Sequence, residues 1–172
     1  MTNFRARLAG GLYLFSLVTA IAGELLLSGV AGIAAGLTAV AGMVAMTLLL
    51  CSVFKPVNRS LSWLAAAIGL VGLVFEALRW NPRGVDVALV FHGCFALLIA
   101  TLIVRSSFLP GLLAAPIAIS GLSWLTYISP PLAQRLSPYN QGVGLLGELL
   151  MFLWLLVVGV NDQGSSGGAP GR

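Results

Sequence analysis

The chain has 172 residues, of which 59% are hydrophobic and only 8% charged, with a mean hydropathy of +1.02. A soluble domain of this length carries roughly a quarter charged residues, so a water-facing surface cannot be built and lipid is expected to cover most of the molecule. The net charge of +4 comes from eight Arg and one Lys dispersed between apolar runs, which excludes nucleic acid as a partner because phosphate binding needs a concentrated basic face.

A bilayer core of about 30 Å takes about 20 helical residues, and six runs qualify. The first, Leu8–Leu27, follows Arg5 and Arg7. A basic start and the small-residue stretch Ala20-Ile21-Ala22 also fit a signal peptide, but the apolar run is too long for one and is read as a span. Only Ser28-Gly29-Val30-Ala31 separates it from the second run, Gly32–Phe54, so the two are antiparallel neighbours. Gly32 and Gly36 form a GxxxG pair there, a face on which helices approach closely in lipid. Lys55-Pro56-Val57-Asn58-Arg59 stops the second run. The third, Leu61–Leu78, sets Ala65, Gly69, Gly72 and Glu76 on one face, so the small residues turn Glu76 into the bundle. Asn81-Pro82-Arg83-Gly84 turns it into the fourth, Val87–Val104. Phe108-Leu109-Pro110-Gly111 leads into the fifth, Gly111–Ile128, where Pro116 predicts a first turn or mild kink. Ser129-Pro130-Pro131 ends that run and opens the longest loop, to Gln141, before the sixth, Gly142–Val160. The tail, 162–172, is Gly/Ser-rich and reads as disordered.

These runs predict an all-α polytopic membrane protein, a bundle of six transmembrane helices; the alternating ten-residue segments of a membrane barrel are missing. Arg5, Arg7, Lys55, Arg59, Arg105 and Arg172 fall on one side, against Arg79, Arg83 and Arg135 on the other. The excess of basic residues on the first side puts both termini in the cytoplasm, and the composition suggests a bacterial inner membrane. Cys51 and Cys94 fall near opposite faces and read as two buried thiols rather than a disulfide.

With this orientation, Glu24 and Glu76 come near the ends of their helices, and His92 and Glu148 near the starts of theirs. At 1.5 Å per residue, all four are expected roughly 4–10 Å from the outer boundary. Ionisable groups at membrane depth are costly and default to a functional site. Three glutamates beside one His, with or without Arg79 folded inward, carry an excess of negative charge that asks for protons or a resident cation. One imidazole with several carboxylates is also an acceptable ligand set for a divalent metal such as Zn²⁺, Mn²⁺ or Fe²⁺. The purely structural alternative has Glu76 bonding Arg79 one turn on, with Glu24 and Glu148 reaching to the headgroups. Trp80, Trp124, Tyr127 and Tyr139 read as an aromatic belt at the outer interface, and Trp63, Phe54 and Phe108 as its inner counterpart. No phosphate-binding Gly-rich loop, H-E-x-x-H or C-x-x-C is present.

Several segments together, from Arg7-Leu8-Ala9-Gly10-Gly11-Leu12-Tyr13-Leu14 through Phe54-Lys55-Pro56-Val57-Asn58-Arg59, Phe91-His92-Gly93 and Arg105-Ser106-Ser107-Phe108-Leu109-Pro110 to Leu146-Gly147-Glu148-Leu149, carry a family likeness. The chain resembles the bacterial and archaeal multi-pass membrane family catalogued as domain-of-unknown-function family 4386. Glu24, His92 and Glu148 fall on positions that look like that family's recurrent Gly-Glu, Phe-His-Gly and Gly-Glu-Leu elements. The family's longer outer segment between the first two helices is nearly absent here. The resemblance implies a fold and no established activity.

The leading expectation is therefore an outward-facing intramembrane pocket in which Glu24, Glu76, His92 and Glu148, with Arg79, bind a cation, protons or a small ligand in a binding or transport-related role. A metal-dependent intramembrane hydrolase acting on a lipid-like substrate stands as the alternative. A structural or accessory subunit, packing against a membrane partner or a second copy, is the third.

Overall fold

The computed structural model describes residues 2–160; the tail expected to be disordered lies outside the described residues. Among the described residues the chain is helical throughout, with no strand. Six helical segments are long and apolar enough to cross a membrane. Helix α1 spans Thr2–Leu25, α2 Gly29–Phe54, α3 Arg59–Ala77 and α4 Val87–Arg105. The fifth segment, Gly111–Ile128, is composite: α5 (Ala114–Leu125) lies between two short 3₁₀ turns. A seven-residue helix, α6 (Pro130–Leu136), precedes the last span, α7 (Tyr139–Val157).

Local chemistry explains these boundaries. Asn58 and Asp86 cap α3 and α4, each side chain accepting from the backbone N–H three residues on, at 2.9 and 3.2 Å. Each thereby satisfies one of the unpaired donors at a helix start. The stretch expected to be loop between Pro131 and Gln141 instead contains α6, because Pro130 and Pro131 occupy its first turn, where a missing N–H costs nothing. The last span starts at Tyr139 rather than Gly142, with consequences for depth given below.

The spanning helices pack as a closed ring. Each contacts its neighbour in the chain, α1 on α2, α2 on α3, α3 on α4, α4 on α5 and α5 on α7, and α7 closes back on α1. The seams are tight at glycine. A Cβ on Gly93 would stand 2.7 Å from the Gly121 carbonyl, and one on Gly121 would stand 2.9 Å from that of Gly93, so α4 and α5 cross backbone to backbone. Arg7 donates to the Val157 carbonyl (3.1 Å) and Asn3 accepts from the Val160 N–H (3.3 Å), tying the start of α1 to the end of α7.

The ring is filled unevenly. Leu50, Val53, Phe54, Leu102, Ile103, Ile117 and Leu155 form a buried apolar core around the ends where α2, α4 and α7 finish and α5 begins. At the opposite end the centre is open. Large apolar side chains such as Leu25, Val30, Val104 and Leu112 are exposed on the outside, a surface suited to lipid and not to water.

Candidate functional site

Glu148 lies near the middle of α7, nine residues past Tyr139, about 13 Å along the helix axis. It is 4% exposed. Its carboxylate is a four-way hub. Tyr13 of α1 donates its hydroxyl to Oε2 at 2.8 Å. Trp124 Nε1 and Ser120 Oγ, both from α5, donate to Oε1 at 2.6 and 3.0 Å. His92 Nε2 of α4 lies 2.9 Å from the same Oε1. Three helices thus converge on one side chain of a fourth. The Tyr13 ring also stacks on Phe152, one turn beyond Glu148, with centroids 3.9 Å apart and planes 8° off parallel.

In a bilayer, a bare carboxylate at this position would cost on the order of 3 kcal/mol or more. Four hydrogen bonds, the strongest of them charge-assisted, offset that cost. With Glu148 ionised, His92 Nε2 is the donor, and among the described residues no group bonds Nδ1. The His92 side chain is 22% exposed, and that exposure faces an internal cleft.

The cleft has a volume of about 950 Å³ and occupies the open end of the ring, bounded by α1, α2, α3 and α4 with His92, Trp124 and Glu148 at its floor. Glu24, Glu76, Asp86 and Arg79 line it as well. Glu24 and Glu76 are the penultimate residues of α1 and α3. Both are exposed at the mouth, and Glu76 lies within electrostatic reach of His92, Asp86 and Glu24. Three acids against Arg79 leave a formal charge of −2 around the mouth.

The four sequence candidates therefore share a cleft but not a level. His92 and Glu148 touch; Glu24 and Glu76 stand higher. The earlier start of α7 is the reason: it sinks Glu148 below the shallow depth expected for it. The single coordination centre expected for a divalent metal is not formed either. Among the described residues no three His, Cys, Asp or Glu side chains group closely enough to hold a metal ion, and both oxygens of Glu148 already have protein donors. Nor do Glu76 and Arg79 pair: His92–Glu148 is the one ion pair among the described residues.

Arg79 has a different local role. It adopts φ +49°, in the left-handed region, as the residue that terminates α3. Trp80 N–H bonds the Phe75 carbonyl (3.1 Å), and Arg79 N–H bonds that of Glu76 (3.0 Å), the paired bonds of a Schellman cap. The Phe75 and Trp80 rings stack over it at 5.1 Å.

Three members of the hub escaped the sequence reading. Trp124, expected in the outer aromatic belt, is 6% exposed and bonded to Glu148. Ser120 stands one turn before it on the same face, and Tyr13 sits mid-helix in α1. The i, i+4 spacing of Ser120 and Trp124, and the need of a tyrosine hydroxyl in the middle of an apolar helix for a partner, were the signals available. Comparison of the chain with family models, with curated proteins and with solved structures finds no match, so the chemistry of the site rests on its own geometry.

Proposed function

We propose that the chain is a multi-pass membrane protein that binds a cationic ligand or protons in the cleft, in a binding or transport-related role, with the cleft opening to the outer face of a bacterial inner membrane and both termini in the cytoplasm. The exposed apolar belt and six long apolar helices support membrane insertion. Membership in domain-of-unknown-function family 4386 is part of the proposal and rests on the sequence motifs given above.

One observation carries the functional reading. The Glu148 charge is fully engaged by Tyr13, Ser120, Trp124 and His92, whereas Glu24 and Glu76, facing the same cleft, have no ion-pair partner among the described residues. Engaged charge at the floor builds the site; free charge at the mouth is what a cation would neutralise. Low-dielectric walls strengthen that attraction. A hydrolase built on a bound metal asks for three converging ligands, which the described residues do not offer.

Trp124 provides the test. Its ring lines the cleft and meets His92 edge-on at 6.1 Å, so with Trp63, Trp80 and Trp154 replaced by Phe the remaining fluorescence reports on charge entering the cleft. Titration of the purified protein in nanodiscs with methylammonium is expected to give a saturable change. Replacing Glu24 and Glu76 together with Gln, both exposed and without side-chain bonds among the described residues, is expected to weaken it about tenfold or more, as loss of charges at this range requires. A flat titration of the single-tryptophan parent, or an unaltered midpoint in the double variant, would overturn the reading.

A further inference from the structure

The cleft is far larger than a proton or metal site needs and falls in the range that holds drug-sized organic molecules. Its lining is also segregated. Acids ring the mouth, whereas the wall formed by α2 is apolar: Ile33, Gly36, Leu37, Val40 and Met43 recur at helical spacing along one face. Its mouth end is left uncovered, while Met43 at the inner end packs against the buried core. Ile33 and Leu37 are 57% and 55% exposed, and a Cβ built on Gly36 would meet nothing within 4 Å. From Ile33 to Met43 the wall runs about 15 Å down the helix, comparable with an extended dodecyl chain.

The polarity has a direction. Glu24 and Glu76 sit in the last turns of α1 and α3, at headgroup level, and the apolar wall descends from them toward mid-bilayer. Charge at the interface and hydrocarbon below it is the arrangement of a single-chain amphiphile standing in one leaflet. The sign of the mouth selects a cation.

We propose that the cleft binds a single-chain amphiphilic ammonium cation taken from the bilayer, its headgroup held at the mouth by Glu24 and Glu76 and its chain laid along the Ile33–Met43 face of α2. This deepens the reading of the cleft as a cation site and rests on it. It names the ligand class: a lipophilic amine, rather than a soluble inorganic cation or an anionic lipid. Because the bilayer is itself apolar, selection comes from the charge of the head and the fit of the chain, not from the hydrophobic effect.

The probe is a dodecylammonium analogue carrying a photoactivatable diazirine in its chain, applied to the full-length protein in nanodiscs, with crosslinked positions mapped by mass spectrometry. Labelling is expected on Ile33, Leu37, Val40 or Met43. Unlabelled dodecylammonium is expected to suppress it at a concentration more than about tenfold below that needed by dodecanoate, since like-charge juxtaposition at the mouth penalises the anion. Gly36→Leu is expected to abolish labelling while leaving the melting temperature intact or raised, because the added side chain fills the cleft and leucine is the better helix former. Equal competition by dodecanoate would overturn the cationic class. Labels spread over lipid-facing positions such as Val104 and Leu112, insensitive to either competitor, would overturn the site. Methylammonium titration separates the two levels: saturable methylammonium binding without wall labelling sinks the amphiphile and leaves the cation site standing, whereas loss of both sinks the cation site as well.

Discussion

Glu148 is the residue on which the ring turns, and its partners are not equivalent. Removing the Tyr13 hydroxyl takes away the sole donor to Oε2 among the described residues but leaves the ring stacked on Phe152. Tyr13→Phe is therefore expected to cost about 1–2 kcal/mol, the range for one hydrogen bond to a charged group, moderated by membrane surroundings. Glu148→Leu strands four polar groups from three helices at once and is expected to cost at least about 3 kcal/mol. Thermal unfolding in detergent checks both; equal losses would mean that the carboxylate is held by something other than these donors. Glu148 and His92 were legible in the sequence because an ionisable group in an apolar run has few structural excuses. Tyr13, Ser120 and Trp124 were not. An aromatic or hydroxyl residue is compatible with lipid, packing or an interface, and only the turn of α5 reveals that Ser120 and Trp124 share Glu148.

Helix packing makes its own prediction. At Gly147 an added Cβ would collide with the Pro116 carbonyl and crowd Ser120 Cβ at 2.9 Å. The collision is with backbone, so α5 and α7 would have to part, one residue away from Glu148. Gly147→Ala is expected to lower the melting temperature sharply and to disturb the Trp124 emission, whereas Gly36→Ala, in open space, is expected to be neutral or stabilising. The reverse order would contradict the α5–α7 seam. Arg79 offers a finer case: as the left-handed residue closing α3, it adopts a conformation that glycine accepts without steric cost. Arg79→Gly is expected to stabilise the helix end by about 1 kcal/mol, read as a raised unfolding midpoint; a fall would show that the Arg79 side chain contributes more than its backbone strain costs. Proline and glycine punctuation made the spans legible at this scale. The same prolines misled at α6, where Pro130-Pro131 starts a helix instead of ending order, and a helix that begins at Tyr139 instead of Gly142 moved Glu148 from the rim to the floor.

Closure of the ring is a property of the whole chain that no single segment announces. The α7–α1 contact depends on Gly10 meeting the Phe152 carbonyl and on Arg7 reaching Val157, pairs too far apart in sequence for periodicity to join. Charge, by contrast, was readable along the chain and now acquires a three-dimensional meaning. Arg5, Arg7, Lys55, Arg59 and Arg105 gather at the end filled by the apolar core, while Arg79, Arg83 and Arg135 flank the open end. Lys55 also lies over the Trp63 ring at 6.0 Å, an arrangement suited to a headgroup boundary. If the bias toward basic cytoplasmic ends governs insertion, the sealed end faces the cytoplasm and the cleft faces outward. Replacing Cys51 and Cys94 with Ala leaves a background for single reporters: Asn81→Cys at the cleft and Lys55→Cys at the sealed end. A membrane-impermeant maleimide added to intact cells is expected to label the first at once and the second only after permeabilisation. The opposite pattern would turn the cleft toward the cytoplasm. A ligand would then be drawn from the inner leaflet, whose anionic lipids would concentrate cationic amphiphiles at that face, and the acidic mouth would compete with that surface for them.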